Sequence, residues 1–315
     1  MKKIEIMVTG GTGLFGKAIE KISKTEIYNK YNITFLSSKD GDLCNYEETK
    51  SIFEKIKPTH VIHLAAMVGG LFKNMKCKGD FYMKNTQINN NIVECCKLYK
   101  IEKLISCLST CIFPDKTSYP IDETMIHNGP PHCSNEGYAY AKRMIDVLNR
   151  CYKEQYKCNF TSIIPTNIYG PYDNFNIEDG HVIPGLINKC YHAKQNNTDF
   201  VIWGSGKPLR QFIYSYDLAE LTMWALFNYD SCEPLILSVG EEDEISIKEL
   251  AHLIAKSIEF KGNIIFDETK SDGQYKKTAN NNKLKSLTDF KFTNIEEGIK
   301  ETCDWYISNY EKARK

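Results

Sequence analysis

Short apolar runs alternate with longer segments of helical periodicity along the first half of the chain. The apolar runs, at residues 4–8, 33–36, 61–64, 104–108 and 160–164, are rich in β-branched side chains and predict strands. The segments between them, at residues 14–23, 46–56, 81–98 and 139–152, place apolar residues on one helical face. This alternation favours βαβ units, and therefore an α/β fold with a parallel, doubly wound sheet.

A glycine-rich turn joins the first predicted strand to the first predicted helix. Residues 8–16 read Val-Thr-Gly-Gly-Thr-Gly-Leu-Phe-Gly. Without Cβ atoms, Gly10 and Gly13 can adopt positive φ and bring backbone N–H groups near a pyrophosphate, and Gly16 allows the helix to pack closely. The helix N-terminus adds partial positive charge. This context predicts a Rossmann-like dinucleotide site at Gly10, Gly11, Thr12, Gly13, Leu14, Phe15 and Gly16.

The loop after the second predicted strand bears on the choice of cofactor. An NAD-binding protein usually carries an acid there, which binds the ribose 2′-hydroxyl, whereas residues 37–39 here are Ser-Ser-Lys. The hydroxyl of Ser38 and the ammonium of Lys39 suit a 2′-phosphate, so the sequence favours NADP(H) over NAD. An ordinary polar loop is the alternative. Asp42 and Leu43 follow and are well placed to flank an adenine.

Further candidates follow the other strands, because ligands of an open parallel sheet lie beyond the carboxyl ends of its strands. Small residues after the third strand let a backbone approach the cofactor. Ser109 and Cys111, after the fourth strand, are candidates for chemistry, and the irregular stretch 113–135 suits a wall of the site. The predicted cofactor contacts from these strand ends are Leu64, Ala65, Ala66, Cys107, Leu108, Pro165, Asn167 and Ile168.

Tyr138 and Lys142 are four residues apart in a helix that begins near Gly137, so they share one helical face. A phenol titrates at about 10, and a neighbouring ammonium stabilises the phenolate and lowers that pKa. The pair therefore predicts a proton donor and acceptor that shares a substrate oxygen with the Ser109 hydroxyl. On this spacing alone, a surface pair is the alternative.

The alternation becomes irregular after residue 168, which suggests a lobe inserted into and appended to the cofactor domain. We assign residues 1–168 and 213–240 to an NADP-binding Rossmann domain, and residues 169–212 and 241–315 to a smaller α/β substrate lobe. Arginine occurs at only four positions, and Arg210 is one of them. Because a guanidinium fork fits a diphosphate better than an ammonium does, Arg210 is a candidate for substrate binding.

Composition and charge exclude several classes of protein. Lys plus Arg and Asp plus Glu are both 40, and this zero net charge predicts neither a nucleic-acid nor a membrane partner. No apolar run approaches the roughly 20 residues that span a bilayer, and no signal-peptide pattern is seen, so we expect a cytoplasmic protein. The 12 cysteines include no Cys-x-x-Cys pair, which favours reduced thiols, and we expect no metal site.

The glycine turn, Ser109 and the Tyr138/Lys142 pair together resemble the extended short-chain dehydrogenase/reductase superfamily. Further segments narrow the resemblance to the GDP-L-fucose synthase family, and they cover nearly the whole chain. These segments are Ser-Thr-Cys-Ile-Phe-Pro at 109–114, Pro-Thr-Asn-Ile-Tyr-Gly-Pro at 165–171, Asp-Asn-Phe at 173–175 with His-Val-Ile-Pro at 181–184, Trp-Gly-Ser-Gly at 203–206 and Ser-Asp-Gly at 271–273.

The resemblance implies an enzyme that epimerises GDP-4-keto-6-deoxy-D-mannose at C3 and C5 and then reduces C4 with NADPH. It implies a reductase triad of Ser109, Tyr138 and Lys142, an epimerisation base and acid at Cys111 and His181, and a homodimer formed through a helical bundle. The implied contacts to the nucleotide sugar are Ser109, Cys111, Asn167, Lys189, Trp203, Arg210, Asp272 and Lys277. Lys142 and His181 are also implied to contact the cofactor.

Two classes of alternative stand beside this interpretation. Within enzymes, the alternative is a nucleotide-sugar dehydratase or 4-epimerase of the same superfamily. Dehydratases carry an Asp-Glu pair where Cys111 and Ile112 stand here, and a 4-epimerase does not need Cys111 and His181. From another class, the alternative is a non-catalytic NADP-binding sensor, although such proteins usually lose the Tyr or the Lys. For Cys111 and His181 singly, the alternative is a structural role.

Overall fold

The computed structural model describes residues 3–178, 180–270, 272 and 276–315. The strands are β1 (Glu5–Thr9), β2 (Asn32–Phe35), β3 (His60–His63), β4 (Lys103–Cys107), β5 (Phe160–Pro165), β6 (Asn167–Tyr169), β7 (Phe200–Trp203), β8 (Leu209–Arg210), β9 (Phe212–Tyr214), β10 (Leu235–Leu237), β11 (Ile245–Ser246) and β12 (Ile264–Asp267). The helices are α1 (Leu14–Ile22), α2 (Tyr46–Ile56), α3 (Leu71–Lys76), α4 (Lys78–Leu98), α5 (Glu136–Tyr156), α6 (Val182–Asn196), α7 (Ser215–Asn228), α8 (Ile247–Ile258), α9 (Asn282–Leu287) and α10 (Ile295–Ser308).

Six parallel strands form the central sheet in the order β10-β5-β4-β3-β1-β2. The chain leaves β1 for the edge strand β2 and then returns to β3 on the other side of β1. Ligands of open α/β sheets bind where the strand order reverses in this way, at the carboxyl ends of the strands. The crevice at the ends of β1 and β3 is therefore where the fold can accept a dinucleotide, and the predicted parallel, doubly wound sheet is confirmed.

Each face of the sheet buries its own layer of helices. Along β1, Ile6 and Val8 pack with α1 and α7, while Met7 points to the opposite face and packs with α2 and α4. This alternation follows from the two-residue period of a strand. Both faces of the sheet are covered, which explains why its strands read as nearly continuous apolar runs.

A separate hydrophobic core lies among helices α6, α8 and α10. Aromatic side chains contribute to this core, and among them Tyr169 and Phe175 are both nearly fully buried. Three two-stranded sheets accompany it, β11-β8, β12-β7 and β6-β9. The predicted division of the chain at residues 168, 213 and 240 stays our interpretation of these two cores.

Two further observations concern chain type. All 12 cysteines are free thiols, and Cys95 and Cys96 are buried in the core beside β4. In the described part of the chain, no helix is both long enough and apolar enough to cross a membrane.

Candidate active site

The glycine turn lies at the carboxyl end of β1, over the start of α1. Gly10 has φ +69°, and a Cβ there would lie 2.9 Å from the Ala65 backbone nitrogen, so only glycine fits. A Cβ on Gly16 would lie 2.5 Å from the Gly11 Cα, which confirms that the helix packs closely, although against the turn and not against the strand. The expectation of positive φ at Gly13 is wrong, because Gly13 is the N-cap of α1 with φ −76°.

The first turn of α1 fits a pyrophosphate. No side chain in the described residues caps it, and no acidic residue lies in it. The backbone N–H groups of Leu14 and Phe15 point from a helix N-terminus with no carboxylate to compete for them. A dinucleotide phosphate at this end of the crevice would meet hydrogen-bond donors and partial positive charge.

The loop after β2 lies on the adenosine side of the crevice. Ser38 and Lys39 are exposed there, as a contact to a 2′-phosphate requires. Asp40 follows these two residues. This acid was not considered from the sequence, and it lies close to where an NAD-binding protein carries its ribose-binding carboxylate. Its carboxylate accepts hydrogen bonds from the Ser37 backbone N–H at 2.7 Å and the Ser37 hydroxyl at 2.8 Å, which hold the pKa of Asp40 below its usual range. This carboxylate is therefore occupied within its own loop.

The Tyr138/Lys142 pair lies on α5, at the carboxyl end of β4. Lys142 is buried, and its Nζ donates a 2.8 Å hydrogen bond to the Cys107 carbonyl oxygen at the end of β4. The same Nζ lies 6.0 Å from the centre of the Tyr138 ring. Ser109 lies two residues after the end of β4, so the strand end and the helix face bring the three predicted triad residues to one edge of the sheet.

The expected lowering of the Tyr138 pKa is wrong. Burial raises the pKa of Tyr138 well above its usual range, and the nearby thiols of Cys111 and Cys107 raise it further. Within the described residues, no protein group forms a hydrogen bond with the Tyr138 hydroxyl. Tyr138 therefore starts as a neutral phenol with its proton available to a substrate oxygen.

Cys111 lies in a single 3-10 turn, Thr110–Ile112, that begins at Ser109. The Ser109 hydroxyl oxygen accepts a hydrogen bond from the Cys111 backbone N–H at 3.4 Å. Burial raises the pKa of the Cys111 thiol, while Lys277, the Ser109 hydroxyl and Lys142 act to lower it. Cys111 is thus a partly buried thiol beside the triad, whose pKa is raised overall because the nearby cations only partly offset the effect of burial.

Arg210 and Lys277 lie together on the substrate side of this thiol. Burial lowers the pKa of Lys277, the thiol of Cys111 opposes that change, and Arg210 adds to it. Gln211 was missed from the sequence, where a glutamine beside an arginine gives no signal. Its buried amide nitrogen donates to the carbonyl oxygens of Val239, Gly240 and Ala279, at 3.0 Å each, so it fixes the two cation-bearing segments to each other.

His181 lies at the N-cap of α6, where it is exposed. Its charged neighbour is Asp173, a buried residue whose pKa is raised by burial and lowered by His181. Asp173 Oδ1 accepts from the Asn174 backbone N–H at 2.7 Å, and its Oδ2 has no hydrogen-bond partner in the described residues. Within those residues no hydrogen bond joins His181 to Cys111 or to Tyr138.

Lys189 and Trp203 form a second group, two turns along α6 from His181 and so about 12 Å along the helix axis. Lys189 Nζ lies 3.5 Å from the centre of the Trp203 ring, and burial lowers the pKa of Lys189 to about 8. Asp272 lies beside them, where its carboxylate accepts from the Ser205 N–H at 2.6 Å and hydroxyl at 2.7 Å. Ser271 and Gly273 of the same motif lie outside the described residues.

The remaining predicted residues lie at the same edge of the sheet. The backbone N–H groups of Leu64 and Ala65 each donate 3.1 Å hydrogen bonds to the Thr9 hydroxyl oxygen. Asn167 begins β6, and its side chain donates to the Gln211 carbonyl oxygen at 2.9 Å. Ala66 and Leu108 follow β3 and β4, Pro165 ends β5, Ile168 is the middle residue of β6, and Asp42 and Leu43 follow β2. No cluster of metal-ligating side chains occurs among the residues that the structure describes.

This fold and this site define a Rossmann-type, dinucleotide-dependent reductase class. The chain matches the NAD dependent epimerase/dehydratase family over residues 6–240. It is 65% identical to the GDP-L-fucose synthase of Dictyostelium discoideum, covering 99% of this chain and 98% of that protein. It is 54% identical to a probable GDP-L-fucose synthase of Drosophila melanogaster, over the full length of both.

A solved structure supports the same relationship. The GDP-L-fucose synthetase of Naegleria fowleri, crystallised bound to NADP, superposes with a TM-score of 0.95 at 55% identity and covers 100% of this chain and 96% of its own. The chain therefore belongs to the NAD dependent epimerase/dehydratase family and, within it, to the GDP-L-fucose synthases.

Proposed function

We propose that this chain is an NADPH-dependent GDP-L-fucose synthase. It epimerises GDP-4-keto-6-deoxy-D-mannose at C3 and C5 and reduces the C4 ketone to give GDP-L-fucose. The observation that carries the proposal is the position of the Cys111 thiol, one turn from Ser109 and within electrostatic reach of Tyr138 and Lys142. In a reductase that did no epimerisation, this thiol would have only a structural role.

Epimerisation uses the acidity that the C4 ketone gives to the protons on C3 and C5. Cys111 Sγ, as thiolate, removes such a proton; burial raises the pKa of this thiol, and the cations Lys277 and Lys142 partly offset that rise. The Tyr138 and Ser109 hydroxyls donate hydrogen bonds to the C4 oxygen, where negative charge develops. His181, at the start of α6, returns a proton to the opposite face of the sugar.

Reduction uses the same ketone. When NADPH is bound at the glycine turn, it supplies the hydride to C4. The neutral phenol of Tyr138 gives its proton to the C4 oxygen, and Lys142 stabilises the resulting phenolate from the adjacent helical turn. The Cys107 carbonyl oxygen accepts from Lys142 Nζ at 2.8 Å and so holds the ammonium at that place.

We assign the rest of the nucleotide sugar to the two groups of side chains described above. Arg210 and Lys277 meet the diphosphate, since they are two neighbouring cations and Lys277 also lies near Cys111. Trp203 stacks on the guanine base through the ring face opposite Lys189, and Asp272 lies close by, bonded to Ser205. This assignment requires the sugar to lie near the sheet edge and the base near the middle of α6, beside Lys189.

The test follows NADPH absorbance with GDP-4-keto-6-deoxy-D-mannose and identifies the sugar product by NMR. Wild type is expected to give GDP-L-fucose, and Cys111→Ser is expected to reduce the ketone without epimerising it. Cys151→Ser, at an exposed thiol of α5, is the matched control and is expected to behave as wild type. If wild type consumes no NADPH with this ketone, the proposed function is wrong.

We also propose a homodimer. Helices α4 and α5 pack together and expose apolar side chains, with Met83 54% and Met144 45% exposed and Tyr82 and Tyr140 beside them. Two copies that pair these helices would bury that surface in a four-helix bundle. Light scattering is expected to show a dimer for wild type and a monomer for Met144→Glu. A monomeric wild type would contradict the proposal.

A cytoplasmic location stays a prediction of the sequence.

A further inference from the structure

Arg143 is a buried guanidinium with an unusual set of partners. It follows Lys142 on α5, is only 5% exposed, and forms no salt bridge with any carboxylate in the described residues. Burying a charge without a counter-charge is costly unless its donors are satisfied. Here backbone carbonyl oxygens accept the hydrogen bonds of the guanidinium. The segments to which those carbonyls belong are therefore the segments that Arg143 fixes in place.

The guanidinium forms hydrogen bonds with the turn that carries Cys111. Arg143 Nε donates to the Ile112 carbonyl oxygen at 2.8 Å, and Nη2 donates to the same oxygen. Nη1 donates to the Gly129 carbonyl oxygen, in the wall of the site, at 2.8 Å. Two donors in a rigid fork fix both the position and the orientation of the Ile112 peptide, which an ammonium cannot do.

The two sides of this turn are therefore held by different elements. On the side of β4, the Ile112 backbone N–H donates to the Ser109 carbonyl oxygen at 3.1 Å, and the Ser109 hydroxyl caps the turn. On the side of α5, Arg143 holds the far end. The Tyr140 ring lies 5.3 Å from the guanidinium carbon and covers it, which limits its movement.

We infer that Arg143 is a positioning residue, which sets the Cys111 thiol relative to the Tyr138 hydroxyl so that one bound ketone reaches both. Arg143 and Tyr138 belong to the same helix. The hydrogen bonds of the guanidinium to the Ile112 carbonyl oxygen therefore fix the turn that carries Cys111 relative to the Tyr138/Lys142 pair. The inference rests on the proposed function, because it concerns epimerisation by Cys111. Arg143 would thus set the distance between the epimerisation base and the reductase proton donor, although it contacts neither substrate nor cofactor.

The test separates epimerisation from reduction in Arg143→Lys and Arg143→Met. Epimerisation is measured as deuterium incorporation into GDP-4-keto-6-deoxy-D-mannose in D2O with NADP⁺, where no reduction occurs. Reduction is measured as NADPH consumption. Because a misplacement of about 1 Å can cost about 100-fold in rate, we expect the exchange rate to fall about 10- to 100-fold. NADPH consumption is expected to fall less than about threefold, and the product is expected to shift toward the unepimerised sugar.

Arg150→Met is the matched control. Arg150 lies on the same helix but pairs with Asp146 at 3.2 Å and is about half exposed, so we expect both rates to match wild type. Arg143→Lys keeps the charge, so it tests the fork even if Arg143→Met does not fold. If exchange and NADPH consumption fall in the same proportion, or if exchange stays within twofold of wild type, the inference is wrong. If wild type itself neither exchanges deuterium nor consumes NADPH, the proposed function has failed instead.

Discussion

The hydroxyl oxygen of Thr9 lies 2.8 Å from His63 Nδ1 in the core beneath the glycine turn. That oxygen already accepts hydrogen bonds from two backbone N–H groups, so its own proton is what it can give to the ring. His63 is therefore the tautomer protonated at Nε2, which donates to Asn89 Oδ1 at 3.0 Å. Asn89 in turn donates to the Ala141 carbonyl oxygen at 3.1 Å, beside Lys142. This chain of bonds ties the cofactor turn to the helix of the triad.

The neutral state of His63 predicts a loss of stability in acid. Burial first, and then the charge of Lys142, lower the pKa of His63 to about 3. Between about 6.5 and 3 the unfolded chain binds more protons than the folded one, so stability falls as pH falls. We expect this one residue to lower the unfolding free energy by about 2 kcal/mol at pH 5 relative to pH 8.

Urea unfolding of wild type and His63→Gln at both pH values checks this. The comparison concerns the pH slope, so carboxyl groups common to both proteins cancel. The variant is expected to be less stable at pH 8 and to lose less stability on acidification. Equal slopes for the two proteins would mean that His63 does not carry the effect.

Tyr138→Phe removes the proton donor while keeping the ring that packs edge-on against Phe81, with centroids 6.3 Å apart. General acid catalysis is worth about 100- to 10,000-fold, so we expect kcat for NADPH consumption to fall by that factor. Binding of NADPH, measured by fluorescence, is expected to change little. Tyr140→Phe, on the exposed side of the same helix, is the control. A Tyr138→Phe variant with nearly full activity would exclude the phenol as the donor.

Gly16→Ala tests the close approach of α1 to the glycine turn. The added Cβ would lie 2.5 Å from the Gly11 Cα and 2.6 Å from the Gly10 carbonyl oxygen, so the backbone must shift. We expect the Kd for NADPH to rise at least about tenfold, or about 1.4 kcal/mol. Gly79→Ala, a helical glycine of α4 whose Cβ would meet nothing within 4 Å, is the control. Equal NADPH affinity in the two variants would contradict a role for the close packing.

The sequence predicts the sheet well because burial on both faces leaves apolar runs, and the glycine turn follows from its spacing between β1 and α1. It fails at Gly13, where the N-cap residue has an extended backbone with φ −76° and an added Cβ would make only an ordinary contact, 3.5 Å from the Gly10 carbonyl oxygen. The prediction of a lowered pKa for Tyr138 is wrong for another reason. The i, i+4 spacing to Lys142 is a local property, whereas the burial that dominates the pKa comes from distant segments. For the same reason Arg143 and Gln211 give no signal in the sequence.

Trp203 provides a test of the nucleotide end of the site. Its ring is 50% exposed, with Lys189 Nζ 3.5 Å from its centre, so one face is free to stack on a base. Stacking on an aromatic side chain is worth about 1–3 kcal/mol per base. We therefore expect Trp203→Ala to raise KM for the GDP-sugar about 10- to 100-fold. Because the base lies far from the ketone, kcat is expected to stay within about threefold.

Ile265→Ala is the matched control for Trp203→Ala, since Ile265 is a similarly exposed apolar residue (42%) on the paired strand β12. It is expected to leave KM and kcat unchanged. GDP is also expected to quench the tryptophan fluorescence of wild type and not that of Trp203→Phe, where the other two tryptophans remain. If Trp203→Ala lowers kcat and leaves KM unchanged, the ring acts on the chemistry and not on the base. The assignment of the base to Trp203, beside the middle of α6, would then be wrong.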